Sequence, residues 1–463
     1  MSGPESTLAV TNPFSGGVVG AVPEASLDDV DRAVQTARTH LPAPPAAERA
    51  QVLERAALLV AARRDTLAQT LAAEAGKPVT QARGEVTRCI DTLTFAAVEA
   101  RRLAGEVVPM DSSASGAGKV AFTTKVPVGV IAAISPFNFP LNLVAHKVAP
   151  AVAAGCPVVL KPSEETPLSA LALGAILTEA GLPEGFVTIL NGPGETIGAA
   201  LAAHPDIAMI SFTGSATVGW ELARLRPRIR VALELGNSTP VIVTADADLH
   251  DAAERIAASG FTHAGQSCVS VQRVIVAREI HDRLRDLLVA RVERLIVGDP
   301  LEPATDVGPL ITDAARDRVV DWIGQATAAG AMVATGGCVR DGILVPTVLT
   351  GVTSEMRVFA DEVFGPVVGL TAFSTVDEAI DLANATRYGL QAGIFTGRVD
   401  RALGWANRLA FGAVLINETP TFRADQMPYG GIKDSGNTRE GPAEAVRSMT
   451  ESRLVVINLP GTP

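Results

Sequence analysis

The amino-acid sequence predicts an α/β protein with two domains and mainly parallel sheets. Its 463 residues exceed the length that one hydrophobic core usually serves. Hydrophobic residues make up 47% of the chain but aromatic residues only 4%, so the cores must consist mainly of aliphatic side chains, as in parallel sheets covered by helices. From Val128 onward, short apolar strands alternate with segments of helix length, which is the pattern of βαβ units.

The region before this alternation is predicted to be helical. Ser26 can cap a helix whose first turn carries Asp28 and Asp29, at the end where negative charge is favoured. Helical periodicity then runs, with breaks, from about Ala47 to Leu103. We expect the charged residues of this region to form the solvent-facing side of the helices.

Two further strands predict a small β arm. Ser112 to Gly118 is small and polar, and Lys119 to Lys125 mixes apolar and polar side chains as an exposed strand does. Ser452 to Asn458 near the C-terminus has the same character. We expect the two strands to pair with each other or with another subunit, or simply to complete a sheet.

The α/β alternation divides into two series that meet near Glu234 to Thr239. Strands of the first series are predicted at Val128 to Ile134, Pro157 to Leu160, Val187 to Leu190, Ile207 to Phe212 and Arg230 to Leu235. Strands of the second series are predicted at Val241 to Val243, Arg273 to Val276, Val367 to Phe373, Ala392 to Phe395 and Ala413 to Ile416. The last helix is predicted at Leu403 to Leu409, and the stretch from Ala329 to Val367 is irregular.

Composition and charge argue against several classes of protein. The formal net charge is -11 and no basic block stands out, which argues against a nucleic-acid partner. The apolar runs are short for a membrane span, and the first residues lack a cationic stretch followed by an apolar one, so we expect a cytoplasmic protein without membrane contact. The four cysteines have no short spacing, which argues against a ribbon- or finger-type zinc site and against a disulfide framework, but one reactive thiol remains possible.

Cys268 is the candidate for that reactive thiol. It lies in the stretch Phe261 to Ser270, between a helical run and a short apolar strand, and it follows a Gly-Gln turn. A junction of this kind can expose a thiol to a cleft while the flanking elements hold it in place. The alternative is a buried thiol that acts as a small hydrophobic side chain.

Two glycine turns indicate a dinucleotide site. Gly192 to Gly198 follows a strand and opens a helix, and Thr213-Gly214-Ser215 occupies the same position one unit later. At a third strand end, Lys161 can bond ribose hydroxyls, and Glu164 can accept from a 2′-hydroxyl while repelling a 2′-phosphate. Tight turns and a charge pair that ends a strand are the simpler alternatives.

Two further strand ends carry candidate catalytic groups. Pro136 and Pro140 fix a loop in which Asn138 offers its side-chain N–H₂ at a set point, as an oxyanion hole requires. Glu234 stands at the end of another strand, where it can act as a general base if burial raises its pKa toward neutrality. A loop-capping asparagine and an ordinary surface glutamate are the alternatives.

Eight short motifs follow one another along the chain. They are Asn12-Pro13, Pro136-Phe137-Asn138-Phe139-Pro140, Lys161-Pro162-Ser163-Glu164, Phe212-Thr213-Gly214-Ser215, Glu234-Leu235-Gly236, Gly265-Gln266-Ser267-Cys268, Glu362-Val363-Phe364-Gly365-Pro366 and Pro428-Tyr429-Gly430-Gly431-Ile432-Lys433-Asp434-Ser435-Gly436. Each motif is weak alone, but in this order they resemble the aldehyde dehydrogenase superfamily over nearly the whole chain.

The resemblance implies the fold of that superfamily. A Rossmann-like cofactor domain would comprise residues 1–112 and 127–235, and a second α/β domain, the catalytic one, residues 236–428. An oligomerisation arm would comprise residues 113–126 and 446–463, with residues 429–445 returning to the cofactor domain. The arm implies a homodimer or homotetramer.

The resemblance also implies residue roles. Cys268 is then the nucleophile, Glu234 the general base, and Asn138 the oxyanion donor together with the backbone N–H of Cys268. The cofactor is NAD, with NADP as the alternative. The implied cofactor contacts are Lys161, Ser163 and Glu164 at the adenosine ribose, Gly194 and Ser215 near the pyrophosphate, Glu362 at the nicotinamide ribose, Phe364 beside the ring, and Ser135, Pro136, Phe137, Phe212, Gly214 and Leu235 around them.

The implied reaction oxidises a small aldehyde to its carboxylic acid. The thiolate of Cys268 adds to the aldehyde carbon, Asn138 holds the oxyanion, and hydride transfer to nicotinamide leaves a thioester. Glu234 then activates the water that hydrolyses the thioester, and relatives that pass the acyl group to coenzyme A are expected to lack this base. A coenzyme-A-acylating enzyme and a catalytically silent binding or structural protein are the alternatives.

Substrate choice is assigned to two residues. Arg423 lies in Thr421 to Pro428, a stretch that resembles the branch acting on small oxygenated or anionic aldehydes such as lactaldehyde, glyceraldehyde 3-phosphate or phosphonoacetaldehyde. Its guanidinium can pair with a carboxylate, phosphate or phosphonate, or instead with Asp425 or another acid. His263 is the second candidate, because it stands where the family commonly has asparagine. Asn237 and Thr438 also depart from the family pattern, each in place of a glycine.

Overall fold

The computed structural model describes residues 6–459, so residues 1–5 of the predicted cofactor segment and residues 460–463 of the predicted arm lie outside the described residues. The α-helices of the described part are α1 Leu27–Arg38, α2 Ala46–Ala62, α3 Arg64–Ala75, α4 Val79–Arg102, α5 Asn142–Ala154, α6 Pro167–Glu179, α7 Ala199–Ala203, α8 Ala216–Leu225, α9 Leu249–Phe261, α10 His281–Val292, α11 Asp313–Ala328, α12 Arg357–Ala360, α13 Val376–Asn384, α14 Val399–Ala406 and α15 Pro442–Ser448. Ser26 caps α1, since its side chain accepts from the backbone N–H of Asp29.

The strands lie in sheets that follow the two predicted series. They are β1 Thr7–Thr11, β2 Val18–Pro23, β3 Val107–Val108, β4 Lys119–Pro127, β5 Val130–Ile134, β6 Val158–Lys161, β7 Val187–Ile189, β8 Ile207–Thr213, β9 Arg230–Glu234, β10 Thr239–Val243, β11 Val271–Ala277, β12 Met332–Thr335, β13 Val339–Arg340, β14 Ile343–Leu344, β15 Thr347–Thr350, β16 Val367–Phe373, β17 Gln391–Phe395, β18 Ala413–Ile416 and β19 Thr450–Asn458. Every strand of the two series is present.

The first series forms a five-stranded sheet with the order β7-β6-β5-β8-β9, in which all pairs are parallel. All residues of β5 and α5 are buried, which explains why both segments have continuous apolar sequences. From β5 the chain proceeds to β6 and β7 on one side and then returns to β8 on the other. The loops after β5 and β8 therefore border a crevice at the carboxyl ends of the strands, where such sheets bind ligands.

The second series forms a seven-stranded sheet with the order β12-β15-β16-β11-β10-β17-β18. Its pairs are parallel apart from that of β12 with β15. Strands β12 to β15 occupy the stretch that was predicted to be irregular. They are two to four residues long, so no periodicity could indicate them.

A three-stranded antiparallel sheet of β3, β4 and β19 forms the arm. Thr450–Asn458 pairs with Lys119–Pro127 over the whole length of both strands, so the two predicted peripheral strands pair with each other. The segment before β4 consists of short 3₁₀ turns, Met110–Ser112 and Ala114–Gly116, rather than a strand. Leu454 on β19 stays 56% exposed, which leaves apolar surface on the arm.

Two local differences from the sequence prediction remain. The hairpin of β1 and β2 was not predicted, because most of its side chains are exposed and only Val10 and Val22 are buried in it. The helix predicted at Leu403 to Leu409 is α14, which begins four residues earlier with Asp400 in its first turn. Within residues 6–459, no helix combines the length and the apolar composition needed to cross a bilayer.

Candidate active site

A cavity of about 580 Å³ is lined by residues from both α/β units. The loops after β5, β8 and β9 reach it from the five-stranded sheet, and the turn between α9 and β11 reaches it from the other unit. Cys268, Glu234 and Asn138 all line this cavity. The structure thus brings together the three residues predicted to be catalytic, which are far apart in sequence.

A tight turn after α9 presents Cys268 to the cavity. His263, Ala264 and Gly265 take left-handed backbone conformations in succession, with φ of 50°, 53° and 71°. At Gly265 a Cβ would clash with the backbone of Gly365, so only glycine fits there. Cys268 follows this turn and precedes β11, which holds it from the other side.

The Cys268 thiol has one hydrogen-bond partner within residues 6–459. Its Sγ lies 2.9 Å from the hydroxyl oxygen of Tyr429. Burial raises the pKa of the thiol to about 12, and the hydrogen bond with Tyr429 counteracts that shift. The guanidinium of Arg423 lies over the Tyr429 ring, 3.9 Å from its centroid.

Asn138 is held in the loop after β5 with its amide directed at the same turn. Its Nδ2 donates to the backbone carbonyl of Gln266 at 2.9 Å, and Gln266 is fixed in turn because its Oε1 accepts from the backbone N–H of Ile311. The second N–H of the Asn138 amide and the backbone N–H of Cys268 have no acceptor among residues 6–459. Both donors are therefore available to an oxyanion.

Glu234 is a buried carboxylate without a hydrogen-bond partner. It ends β9, is 5% exposed, and neither of its carboxylate oxygens is bonded within the described part of the chain. Burial and the nearby Glu440 raise its pKa well above the usual value, and Arg423 and Lys147 offset part of that shift. Gly430 permits this position, because a Cβ there would press against the Glu234 carboxylate. The general base predicted from the sequence thus has the burial that such a role needs.

Glu362 lines the cavity close to the strand end that carries Glu234. Its Oε1 accepts from the backbone N–H of Asn237 at 3.0 Å, and a Cβ on Gly236 would collide with its carboxylate. Burial raises the pKa of Glu362 to about 7, while the Asn237 hydrogen bond and Arg318 lower it. The Glu-Leu-Gly motif therefore positions two carboxylates: it carries Glu234 itself, and its glycine, Gly236, leaves room for the carboxylate of Glu362.

Asn237 departs from the family pattern without distorting this region. Its φ is not positive, so the left-handed backbone tolerance of asparagine is not used here. Its side chain instead cross-links neighbouring segments, donating to Thr239 Oγ1 at 2.9 Å and to the carbonyl of Gln391 at 3.1 Å. The amide oxygen accepts from the backbone N–H of Leu390.

Most of the predicted cofactor residues lie in two groups. The first group lines the cavity and consists of Pro136, Phe137, Gly214, Ser215, Leu235, Glu362 and Phe364. Phe137 and Phe364 meet edge to face with ring centroids 5.8 Å apart, and Ser215 caps α8, whose N-terminus is next to the cavity. Such a helix end favours a phosphate.

The second group lies outside the cavity lining and is linked by hydrogen bonds. Glu164 Oε1 accepts from Lys161 Nζ at 3.1 Å and from the backbone N–H of Gly194 at 2.6 Å, while the hydroxyl of Ser163 bonds Glu165.

Ser135 and Phe212, at the ends of β5 and β8, complete the predicted set. The hydroxyl of Ser135 is buried and has no hydrogen-bond partner in the part of the chain that the structure describes, and Phe212 packs against Gly214. An unpartnered buried hydroxyl and a capped helix start beside a glycine turn fit a dinucleotide.

His263 and Thr438, two positions at which the sequence departs from the family pattern, are not part of the cavity lining. His263 is 1% exposed, its ring packs edge to face against Phe139, and it does not line the cavity, so the structure does not place it in contact with a substrate there. Histidine is one of the residues that tolerate left-handed backbone, which explains how it replaces asparagine. Thr438 contributes its carbonyl, which accepts from Arg439 at 2.7 Å.

Arg423 both faces the site where a substrate anion would bind and pairs with an acidic side chain, the two alternatives that the sequence left open. It lines the cavity, and its Nη2 also lies 2.7 Å from Glu440 Oε2, with both side chains 7% exposed. Its Nε is buried and has no hydrogen-bond partner among the described residues, 6–459. Asp425, the other acid considered, pairs instead with Arg88 at 2.9 Å and with His146 at 2.8 Å.

Arg88 and Tyr429 were not predicted to be site residues from the sequence. Arg88 lies in the middle of α4 and lines the cavity from this helix. Apart from the loop after β5, the motifs that line the cavity follow it by more than a hundred residues. Its position on a long helix gave no signal, since charged residues on such helices usually face solvent. Tyr429 stood inside the last motif, but only the structure shows its contact with the thiol.

Comparison with known proteins gives consistent matches over the full length. Residues 1–455 match the profile of the Aldehyde dehydrogenase family. A 3-sulfolactaldehyde dehydrogenase of Priestia megaterium is 44% identical over 455 residues, which cover 98% of this chain and 95% of that protein. The crystal structure of aldehyde dehydrogenase 21 from Physcomitrella patens in complex with the reaction product succinate superposes with a TM-score of 0.96 and 40% identity, covering 100% of this chain and 97% of that one.

A second structure agrees in fold. Glyceraldehyde-3-phosphate dehydrogenase GapN from Methanocaldococcus jannaschii, complexed with NADP, has a TM-score of 0.94 and 36% identity and covers 98% of this chain and 99% of that one. These matches confirm the predicted α/β fold and NAD(P)-dependent oxidation of an aldehyde as the activity. The chain belongs to the aldehyde dehydrogenase family.

Proposed function

We propose that this protein oxidises a small anionic aldehyde to its carboxylic acid with NAD, through a covalent intermediate on Cys268 that water hydrolyses. The observation that carries the proposal is that Cys268, Glu234 and Asn138 line one cavity together with Arg423 and Arg88. Thiol, base and oxyanion donor are the groups that the reaction requires, and two arginines in the same cavity supply positive charge for an anionic substrate.

Addition to the aldehyde is the first step. The Cys268 thiol first releases its proton to water. The sulfur of the resulting thiolate bonds to the aldehyde carbon, and the electron pair of the C=O bond moves to oxygen. The second N–H of the Asn138 amide and the backbone N–H of Cys268 donate to that oxygen, since neither has an acceptor among residues 6–459. When bound, NAD supplies the acceptor for the hydride that leaves the former aldehyde carbon.

Hydrolysis of the resulting thioester is the second step. Glu234 takes a proton from a water molecule as that water attacks the acyl carbon, and the sulfur leaves with the bonding electron pair. A raised pKa suits this role, because a carboxylate with an ordinary pKa is a weak base near neutral pH. The presence of this base favours hydrolysis over acyl transfer to coenzyme A.

The anionic substrate is inferred from the contacts around Tyr429. Arg423 stacks on the ring of the tyrosine that touches Cys268, and its Nε is a buried donor without a partner within residues 6–459. Arg88 lines the same cavity and is held in place by Asp425. One relative is named 3-sulfolactaldehyde dehydrogenase, after a sulfonated aldehyde, and aldehyde dehydrogenase 21 was crystallised with its reaction product succinate, a dicarboxylate. Both are consistent with an anion at this position.

We expect Arg88→Gln to reduce kcat/KM for succinic semialdehyde by roughly 10- to 100-fold, the effect of removing one charged hydrogen bond. For butanal, a neutral aldehyde of equal chain length, the change should stay within about threefold. The assay is NADH formation without added coenzyme A. Arg83→Gln is the matched control, because Arg83 lies on the same helix and pairs with Asp65 at the surface.

Equal losses for both aldehydes in the Arg88→Gln variant would mean that Arg88 supports the fold rather than an anionic substrate. A wider panel of aldehydes, run with NAD and with NADP, tests the activity itself. Turnover that depends on coenzyme A would instead favour the acylating alternative.

We further propose that Glu164 makes NAD the preferred cofactor. The Glu164 side chain is 43% exposed, and its carboxylate is fixed by Lys161 and by the backbone N–H of Gly194. In this position it would accept a hydrogen bond from a ribose 2′-hydroxyl and repel a 2′-phosphate. Glu164→Gln should lower the KM for NADP about tenfold and raise that for NAD by a similar factor. The control is Glu184→Gln, which removes an exposed carboxylate elsewhere on the same unit. If the NADP/NAD ratio does not change, Glu164 does not set the preference.

We also propose that residues 113–126 and 446–463 join subunits into a homodimer or homotetramer in the cytoplasm. Support comes from the apolar residues left exposed on the arm, such as Leu454 at 56%, Val456 at 47% and Ile457 at 45%. In this proposal residues 1–112 and 127–235 bind the cofactor, residues 236–428 carry the nucleophile, and residues 429–445 return the chain to the first unit.

A further inference from the structure

We propose that Tyr429 is a catalytic residue of this protein: its phenolic hydroxyl donates a hydrogen bond to the sulfur of Cys268 and stabilises the thiolate. The inference rests on the proposed role of Cys268 as the nucleophile. It supplies what the sequence could not, namely a group that favours the ionised form of a thiol in a buried site.

The geometry leaves the tyrosine hydroxyl little choice of partner. Its oxygen lies 2.9 Å from Cys268 Sγ, and the residue is only 4% exposed. The ring packs in a small apolar cluster with Val269 and Leu390, against which Cys268 also packs. Within residues 6–459, the Tyr429 hydroxyl has Cys268 as its one hydrogen-bond partner, whereas the hydroxyl of the other tyrosine, Tyr388, accepts from Arg387. The hydroxyl is therefore held against the sulfur by packing.

The direction of the hydrogen bond follows from the acidities of the two groups. Burial raises the pKa of Tyr429 well above its usual value, so the phenol keeps its proton over the working range of pH. A thiolate has no proton to give and can only accept. Burial opposes ionisation of Cys268, and the carboxylates of Glu362 and Glu234 oppose it further. A fixed donor at the sulfur is the direct contact that offsets these effects.

Arg423 strengthens this donor. Its guanidinium lies 3.9 Å from the centroid of the Tyr429 ring, and its Nη2 bonds Glu440 at 2.7 Å, which fixes the plane of the cation. A cation over an aromatic ring withdraws electron density from it, and a phenol so polarised is a better hydrogen-bond donor. The same arginine also lowers the pKa of Cys268 through its charge.

The hydrogen bond would act twice in each turnover. Before addition it stabilises the thiolate that attacks the aldehyde carbon. During hydrolysis the C–S bond of the thioester breaks, the sulfur retains the bonding electron pair, and the phenol donates to the thiolate as it leaves. No proton moves from Tyr429 in either step, so the residue needs no partner to reprotonate it.

The test measures alkylation of the thiol by iodoacetamide as a function of pH, without aldehyde or cofactor. A Cys338→Ser background removes the exposed cysteine, and Cys89 and Cys156 are buried. Tyr429→Phe keeps the ring and removes the hydroxyl. We expect the apparent pKa of Cys268 to rise by about one to two units, so that alkylation at a pH below both values slows roughly 10- to 100-fold.

Tyr388→Phe is the matched control, because it removes the hydroxyl of the only other tyrosine, which is also buried and bonds Arg387. Its alkylation profile should equal that of the background. An unchanged or lowered pKa in Tyr429→Phe would overturn the inference, and a lowered value would mean that the phenol restrains the thiol instead. If Cys268 in the background protein is not alkylated at all, the proposed nucleophile fails rather than the role of Tyr429.

Discussion

We expect Cys268→Ala to lose aldehyde oxidation by about 10⁴-fold or more while NAD still binds. Without the sulfur there is no covalent adduct from which hydride can leave, and neither Asn138 nor Glu234 can replace a nucleophile. The fold should be kept, because Cys268 is only partly buried and its one side-chain hydrogen bond joins it to Tyr429. NADH formation measures the first effect, and quenching of protein fluorescence or calorimetry with NAD measures the second.

The control for this prediction is Cys338→Ala, which changes an exposed cysteine far from the cavity lining. It should oxidise aldehydes at the rate of the unmodified protein. Near-normal turnover by Cys268→Ala would reject covalent catalysis by this residue. Loss of both turnover and NAD binding would instead indicate a damaged site, and the experiment would then be repeated with Cys268→Ser, which preserves the volume of the side chain.

The fold was largely predictable because its buried strands have a strong compositional signal. β5 consists of five buried aliphatic residues flanked by a turn, and the sequence marked it to within two residues at each end. β15 is equally buried but was not predicted, because no helix-length segment separates it from β12, β13 and β14, so the alternation that indicated other short strands is absent here. The order of the strands in the sheet could not be predicted from the sequence, because the pairing of β5 with both β6 and β8 depends on contacts between distant segments.

The candidate site was predictable where motifs lie at strand ends and unpredictable where single side chains approach from helices. Asn138 and Glu234 follow strands of one parallel sheet, so their convergence at one edge follows from the topology. Arg88 reaches the cavity from α4, and nothing in its sequence context distinguishes it from a surface arginine. His263 shows the opposite case: it stands next to the Cys268 motif, yet it does not line the cavity, and its side chain packs on Phe139, which does.

The second large effect is expected for Glu234→Gln, which should block hydrolysis while the oxidation step proceeds. Glutamine has the shape of a protonated glutamate, and the raised pKa shows that this pocket already favours the uncharged carboxyl. Steady-state turnover should fall roughly 10²- to 10⁴-fold, the usual contribution of a general base. Rapid mixing with saturating aldehyde and NAD should therefore give a burst of one NADH per active site, followed by a stalled phase.

The pH dependence follows from the same shift. In the unmodified protein Glu234 works only when ionised, so steady-state turnover should rise with pH through a pKa above the usual glutamate value, and this rise should disappear in Glu234→Gln. The matched control is Glu74→Gln, another buried carboxylate, which binds the backbone N–H groups of Leu168 and Ser169 away from the cavity. Its turnover and burst should match those of the unmodified protein.

Hydroxylamine separates the two roles that Glu234 could have. It attacks a thioester without help from a base, so it should restore continuous NADH formation in Glu234→Gln if the acyl group accumulates on Cys268. A variant that shows no burst and no rescue would place the defect before the thioester, and Glu234 would then act by removing the proton of Cys268. That outcome would leave the role of Tyr429 open, because a donor at the sulfur stabilises the thiolate whichever group takes the proton of the thiol. Burst followed by rescue therefore supports the assignment of Glu234 to activation of the water, whereas the role of Tyr429 is tested by the alkylation profile of Cys268.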